Sequence, residues 1–330
     1  MEKREAARLG TAISEIGLGT WQLGTDWGDV SPEQANEVLE TAVQQGINFI
    51  DTADVYGDGR SEKFIGEFRQ RHLEDNLFIA TKMGRRSPQV FEEYTQEHFL
   101  AWNDRSRANL QMDTLDLVQL HCPPTDVITA QRTYDYLDTM VDEGRIARYG
   151  VSVETCEQAL LAMERDNVAS VQIILNIFRR KPLEEVLPRA LETGTAIIVR
   201  VPLASGLLSG KYTKDTTFAL TDHRNYNRHG EHFDVGETFA GVPFEVGVEA
   251  AQEFSALAAK FVPDATPAQA ALRWILQQPG VTTVIPGGRN VSQVTGNAGA
   301  AALAELPQEL MDALEDLYDS RIREHVHDRW

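Results

Sequence analysis

Ile16-Gly17-Leu18-Gly19-Thr20-Trp21-Gln22 is the stretch on which the reading of the fold turns. A short glycine-containing strand near the start of a chain is how a doubly wound nucleotide-binding sheet opens. That fold requires G-x-G-x-x-G, its third glycine letting the following helix pack closely on the strand. Here Gln22 occupies the third glycine position, with the bulky Trp21 beside it, and the doubly wound reading fails. Counting this run as strand 16–21, seven more β-rich apolar runs follow, at 47–51, 77–82, 115–121, 147–153, 170–175, 195–202 and 281–287. Amphipathic stretches separate them. Ser31-Pro32 supplies an N-cap and a first-turn proline, Ala35, Val38, Leu39, Ala42 and Val43 share one helical face, and Gly46 stands where the helix stops. Further helical patterns cover 61–69, 95–110, 130–143, 155–165 and 182–192, and one more opens at Thr266-Pro267 and ends before Pro279. Eight strands each followed by a helix is the count of an α/β (β/α)8 TIM barrel, a fold that accommodates this length as one domain, 1–330. Three segments exceed the repeat: an N-terminal β-hairpin turning at Leu9-Gly10, a long aperiodic loop after the seventh strand at 203–244, and an extra C-terminal helix at 308–323.

The 330 residues carry 31 Lys and Arg against 50 Asp and Glu, a formal net charge of −19. Nucleic acid and anionic membrane demand clustered positive charge, so neither is expected as a partner. Two cysteines, Cys122 and Cys156, are too few for a disulfide scaffold. The opening MEKREAARLG lacks an apolar core, and the best apolar stretch, 196–208, is interrupted by Arg200 and Pro202 well short of the ~18 residues of a membrane span. A cytoplasmic protein is expected. Nothing in the sequence sets its oligomeric state.

Chemistry on a barrel lies at the C-terminal ends of its strands. The polar residues that close the apolar runs are Asp51, Lys82, His121 and Ser152, and Arg200 lies near the end of the seventh. An acid, an ammonium, an imidazole and a hydroxyl would thus share one rim.

Ile50-Asp51-Thr52-Ala53-Asp54-Val55-Tyr56-Gly57, followed by Ser61-Glu62 and Ile65-Gly66, resembles the signature of the aldo-keto reductases. The likeness runs from Gly17 to Gly287. It implies a catalytic tetrad of Asp51, Tyr56, Lys82 and His121. Reducing a carbonyl needs a hydride donor at carbon and a proton donor at oxygen. In this reading Tyr56 gives the proton, Lys82 lowers the phenol pKa, Asp51 fixes Lys82, and His121 orients the carbonyl. The resemblance also implies NADPH (NADP+), with NADH the weaker candidate. Gly19, Thr20 and Trp21 would border the cofactor at the first strand end, and Ser152 and Gln172 would meet the nicotinamide carboxamide. Arg200, where the family often has a stacking Tyr, would lie against the ring, with Pro202 and Leu203 next to it. Gly206, Leu208, Ser209, Gly210 and Lys211 would run along the pyrophosphate. Gly287, Arg289, Gln293 and Asn297 would take the adenosine end, with Arg289 on the 2′-phosphate. The chain departs from the family pattern at Val153, where an Asn is usual, and at Gly296, where an acid is usual.

The expected partner is a small-molecule carbonyl substrate, an aldehyde, ketone or sugar-like compound, handled reversibly and lined by Trp21, Tyr56 and His121. Trp27, Cys122 and residues 223–226 are further candidates for the pocket mouth. Two other readings stand beside the reductase. Relatives of this family serve as cofactor-sensing subunits of ion channels with little turnover, and a barrel also hosts metal-dependent isomerases and lyases. His121 and Cys122 lack zinc-ligand spacing, so no metal is expected.

Overall fold

Along each barrel strand, alternate residues serve two different surfaces, and the chain is patterned accordingly. The computed structural model describes residues 1–24 and 30–330. It opens with an antiparallel hairpin, β1 (Lys3–Glu5) and β2 (Ala12–Ser14), turning through Gly10 at φ +66°. Eight parallel strands follow: β3 (Leu18–Gly19), β4 (Phe49–Asp51), β5 (Phe78–Met83), β6 (Leu117–His121), β7 (Tyr149–Ser152), β8 (Val168–Ile174), β9 (Ala196–Arg200) and β10 (Val281–Val284). Neighbours in space are neighbours in sequence. The ring closes where Ile16 bridges Val284 and Gly19 bridges Gly287 in parallel, with Gly17 N–H donating to Val284 C=O at 2.8 Å and Gly19 N–H to Pro286 C=O at 3.1 Å. This is the (β/α)8 barrel expected from the strand count.

Outward-facing Ile50, Ile79, Val118, Val151, Val171, Ile197 and Val199 belong to the large hydrophobic cluster shared with the surrounding helices. A second cluster joins Leu9 and Ile13 of the hairpin region to Phe49, Phe78, Leu117, Ala196 and Ile198, residues at the beginnings of their strands. The hairpin thereby seals one end of the barrel with apolar side chains. Polar side chains are left for the other end.

Helix starts follow the sequence signals. Ser31 Oγ accepts the Gln34 N–H at 3.2 Å ahead of the helix Pro32–Gln44. Thr155 and Thr266 each form a reciprocal capping box, with Gln158 and Gln269, ahead of helices Cys156–Met163 and Pro267–Leu276. The C-terminal helix is present as Gln308–Leu317. The pattern at 182–192 resolves into a 3-10 turn, Lys181–Leu183, and a helix, Val186–Thr193. One long helix, Phe244–Phe261, escaped the sequence reading. Its Gly247 weakens the local signal, and the structure explains that glycine: an added Cβ would lie 2.7 Å from Leu207 Cδ1. Among the described residues no helix is long and apolar enough to cross a membrane.

Strand contact is tightest at Gly150, where an added Cβ would sit 2.1 Å from Ser170 Oγ and 2.6 Å from the Ser170 carbonyl. Gly150→Ala is expected to lower unfolding stability by about 1–3 kcal/mol, the usual cost of overpacking a filled site, measured as a reduced urea midpoint.

Candidate active site

The inward positions at the C-terminal ends of the strands are polar, and hydrogen bonds connect them. Register places Gly19 beside Asp51, Lys82 beside Gln119, His121 beside Ser152, and Ser152 beside Gln172. Lys82 is 1% exposed, and its Nζ donates to Asp51 Oδ1 at 2.5 Å, to the Thr52 carbonyl at 2.8 Å and to Tyr56 Oη at 3.4 Å. The second carboxylate oxygen, Oδ2, accepts from Gln172 Nε2 at 2.8 Å and Gln119 Nε2 at 3.4 Å. A buried ammonium is tolerable only with such a partner. Burial works against the charge on Lys82, but Asp51 and then Tyr56 hold its pKa above the ordinary value.

The segment from Asp51 to Tyr56 is anchored by the residues that follow it. Thr52 Oγ1 donates to Ser61 Oγ at 2.9 Å, and Ser61 Oγ donates to Thr20 Oγ1 at 2.8 Å. Glu62 accepts from Thr81 Oγ1 at 2.6 Å and from Asn109 Nδ2 at 2.9 Å. The Ser61-Glu62 pair of the signature thus ties three strand ends and a helix together. Tyr56 lies under Trp21, ring centroids 6.2 Å apart and 23° between planes, and presents its ring edge-on to His121 at 6.0 Å.

Proton positions follow from burial. The sequence predicts that Lys82 lowers the pKa of the Tyr56 phenol. In the structure burial outweighs the pull of Lys82, and the phenol ends above its ordinary value. Tyr56 therefore keeps its proton at neutral pH. His121 is held well below the usual histidine range by burial and by the cations Arg85, Lys82 and Arg200, so its imidazole is neutral. Its Nδ1 is buried without a hydrogen-bond partner among the described residues.

A cleft of about 580 Å³ opens from these residues. Of the residues named from sequence, Gly19, Thr20, Trp21, Asp51, Tyr56, His121, Ser152, Gln172, Arg200, Pro202 and Leu203 line it near the strand ends. Gly206, Ser209, Lys211, Gly287, Arg289, Gln293 and Asn297 line it further out. Lys82 stands behind Tyr56. Leu208 is wholly buried in the hydrophobic cluster, and Gly210, at φ +71°, ends the 3-10 turn Ala204–Ser209; neither lines the cleft. Of the candidates for the pocket mouth, His223, its ring 4.7 Å from that of Trp21, and Arg224 line the cleft, Cys122, Asn225 and Tyr226 do not, and Trp27 lies outside the described residues.

The outer part of the cleft suits an extended anionic ligand. Lys211, Arg224 and Arg289 all border it. Arg289 precedes the helix Val291–Gly299, whose cap Asn290 accepts the Gln293 N–H at 2.9 Å. The backbone beside it is unusual, with Val201, Ala204, Ser205 and Gly206 all at positive φ. A β-branched residue such as Val201 avoids that region unless neighbours enforce it. Gln172 has its amide nitrogen committed to Asp51, and Ser152 Oγ lies 3.4 Å from Cys122 Sγ.

Among the cleft-lining residues that sequence reasoning missed are Glu237 and Gln22. Glu237 comes from the aperiodic loop, where no local signal marks it. Glu237 Oε1 takes Arg85 Nη2 at 2.7 Å and faces Arg200 Nη1 at 3.7 Å, while Glu154 takes Arg85 at 3.1 Å and Arg200 at 2.9 Å. Cys122, Glu154 and Glu237 have ligand atoms within 4.8 Å of one another, but these two guanidiniums already occupy their carboxylates.

Comparison with known proteins bears on the whole chain. The model of the Aldo/keto reductase family matches residues 15–319. The aldo-keto reductase YhdN of Bacillus subtilis is 31% identical over 298 residues, covering 89% of this chain and 87% of that protein. A probable voltage-gated potassium channel subunit beta of Arabidopsis thaliana is 27% identical, covering 97% of this chain and 98% of its own. A glycerol dehydrogenase from Gluconobacter oxydans has a similar structure, with TM-score 0.78, 28% identity, and coverage of 98% and 96% of the two chains. An aldo-keto reductase from Klebsiella pneumoniae, solved in complex with NADPH, shares the fold at TM-score 0.70 and 24% identity, covering 98% and 99%.

Asp54, between Asp51 and Tyr56, is fully buried, and among the described residues no hydrogen bond of normal geometry reaches either carboxyl oxygen. Burial, reinforced by Glu62, raises its pKa to about 7. The unfolded carboxyl ionises near 4 and the folded one near 7, so stability falls as pH rises between those values and the cost is constant above. Asp54→Asn is expected to raise the melting temperature, and by more at pH 8 than at pH 5, in paired thermal melts.

Proposed function

The chain belongs to the aldo/keto reductase family, and we propose that it is an NADPH-dependent reductase of an aldehyde, ketone or sugar-like carbonyl, working reversibly through Tyr56. The observation that carries this reading is the continuous Asp51–Lys82–Tyr56 contact chain with His121 at the edge of the phenol, Asp51, Tyr56 and His121 lining one end of the cleft and Lys82 behind them. NADPH, when bound, supplies hydride to the carbonyl carbon. Tyr56 gives its hydroxyl proton to the carbonyl oxygen as negative charge builds there. Lys82 ammonium, 3.4 Å from the phenol oxygen, stabilises the phenolate left behind, and Asp51 keeps that ammonium in place. Neutral His121 donates a hydrogen bond to the same carbonyl oxygen and fixes its direction.

For the cofactor, Ser152, Gln172 and Arg200 with Pro202 and Leu203 would hold the nicotinamide end. Gly206, Ser209 and Lys211 would hold the pyrophosphate, joined by Arg224. Arg289, Gln293 and Asn297 would hold the adenosine end, with Arg289 on the 2′-phosphate, where a fixed guanidinium fork matches phosphate oxygens. The chain acts as one domain, supported by a hydrophobic cluster that includes both Ile16 and Trp330. It works in the cytoplasm on a small molecule.

Tyr56→Phe is expected to lower kcat by at least about 100-fold while NADPH affinity, followed by fluorescence titration, stays within about twofold, since no charged cofactor contact is lost. Retained turnover would remove Tyr56 from its role. The channel-subunit relative keeps a second reading in play: tight NADPH binding with no oxidation by any of a broad aldehyde panel would make this chain a cofactor sensor. Arg289→Ala is expected to weaken NADPH by about tenfold or more, the scale of a lost charge-assisted hydrogen bond, and to leave NADH nearly unchanged. Equal losses for both would take Arg289 off the 2′-phosphate.

A further inference from the structure

Trp330 stands outside the cleft, yet it packs beneath residues that frame one side of it. The chain reaches it through the 3-10 turn His327–Arg329, which the Tyr318 hydroxyl ties down by a hydrogen bond of 2.9 Å to His327 Nδ1. The indole is 6% exposed and belongs to the large hydrophobic cluster. A buried indole N–H needs an acceptor. Here Nε1 donates to Asp234 Oδ1 at 3.0 Å, and the same oxygen accepts the Gly236 N–H at 2.7 Å. One carboxylate thus caps the turn Val235–Glu237 and fastens it to the ring.

Two glycines show how close the ring lies to the loop. A Cβ on Gly241, at φ +83°, would fall 2.3 Å from Trp330 Cη2, and one on Gly236 would fall 3.1 Å from Trp330 Cε2. Between them Phe239 and Ala240 also take positive φ, 54° and 58°, a conformation that persists only where neighbours impose it. The indole is one such neighbour. The Arg179 guanidinium lies 3.9 Å from the ring centre and donates through Nη2 to the Glu154 carbonyl at 2.8 Å. The ring therefore also backs the residue whose carboxylate pairs with Arg85 and Arg200.

The stretch that Trp330 supports reaches the cleft at two points. Glu237 lines it and pairs with Arg85, and Ser205 lines it as well. Ser205 Oγ donates to the Glu237 carbonyl at 3.2 Å and accepts the Phe239 N–H at 3.0 Å. These two hydrogen bonds join the stretch to the 3-10 turn Ala204–Ser209, whose Gly206 and Ser209 line the part of the cleft assigned above to the pyrophosphate. The catalytic end is held by other means, the Lys82–Asp51 pair and the glutamine side chains of β6 and β8.

We propose that Trp330 is a positioning residue for cofactor binding: its indole sets the stretch Asp234–Gly241, and through Ser205 the turn Ala204–Ser209, in the conformation that grips the NADPH diphosphate. This rests on the cofactor assignment of the reductase reading above. Trp330 has no contact with Tyr56, Lys82, Asp51 or His121 that could alter the proton transfer, so its loss weakens the grip and spares the chemistry.

The test separates affinity from chemistry in Trp330→Ala, Trp330→Phe and Asp234→Ala. The NADPH dissociation constant is read from the cofactor's own emission under direct excitation, so the loss of a tryptophan does not enter. Hydride transfer is read as the single-turnover rate of NADPH oxidation by p-nitrobenzaldehyde at saturating cofactor. Trp330→Ala is expected to raise the dissociation constant at least about tenfold and Asp234→Ala about fivefold, the span of substitutions along a coupled network, with the single-turnover rate within about twofold. Trp330→Phe, which keeps a ring against Gly241 and Arg179, should return the constant to within about threefold of the unaltered protein. Asp234 is partly exposed, so its replacement decides the matter if Trp330→Ala does not fold. An unchanged constant in Asp234→Ala overturns the proposal, as does a folded Trp330→Ala whose constant is unchanged or whose single-turnover rate falls as steeply as its affinity. The expected shifts in affinity, in a protein that oxidises NADPH with no aldehyde, overturn the reductase reading and leave the positioning role standing. No NADPH binding by the unaltered protein overturns both.

Discussion

The buried ion pair between Lys82 and Asp51 is the constraint to which the rest of the site answers. An ammonium at 1% exposure has no water to satisfy it, so the chain must supply oxygens, and it does so from Asp51, the Thr52 carbonyl and the Tyr56 hydroxyl. The Asp51 carboxylate must in turn be satisfied, which recruits Gln172 and Gln119. Side chains from β4, β5, β6 and β8 are thereby locked together inside the barrel. Removing either charge would leave the other buried and uncompensated, so the pair fixes geometry more surely than it adds stability.

That lock is possible because the barrel interior is divided along its axis. Phe49, Phe78, Leu117, Ala196 and Ile198 fill the end where strands begin, capped by the hairpin residues Leu9 and Ile13. Two or four residues further along the same inward faces come Asp51, Lys82, His121 and Arg200. The period of two that sends Ile50, Val118 and Val199 outward to the helices keeps these polar residues inward. Burial then sets their protonation: the phenol of Tyr56 is held above its usual pKa and the imidazole of His121 below its own, a proton donor and a neutral hydrogen-bonding ring.

The long loop after β9 finishes the cleft. It leaves the strand through a run of positive φ at Val201, Ala204 and Ser205 and returns with Glu237 against Arg85 and Arg200. Positive φ at non-glycine residues persists only where surrounding structure imposes it, and the charged quartet is part of what holds this loop. Arg200, read from sequence as a flat surface for a cofactor ring, thus also fastens the loop to the barrel.

Eight strands, their polar ends and most helix starts were legible in the sequence, because each is written in local terms: a period of two, a cap residue, a proline at the first turn. The absent third glycine at Gln22 excluded the doubly wound alternative for the same kind of reason. The helix Phe244–Phe261 stayed hidden because Gly247 answers to Leu207, a residue distant in sequence. Glu237 stayed hidden because an aperiodic loop carries no pattern from which to assign a neighbour. Lys82 pulls the pKa of Tyr56 down as its charge implies, but burial, which a sequence does not show, pushes it up further. The sequence by itself determined which chemical groups this protein has and on which strand ends they sit. Only the tertiary structure decided which of them touch and which are dry, since those depend on distances between segments that no local pattern encodes.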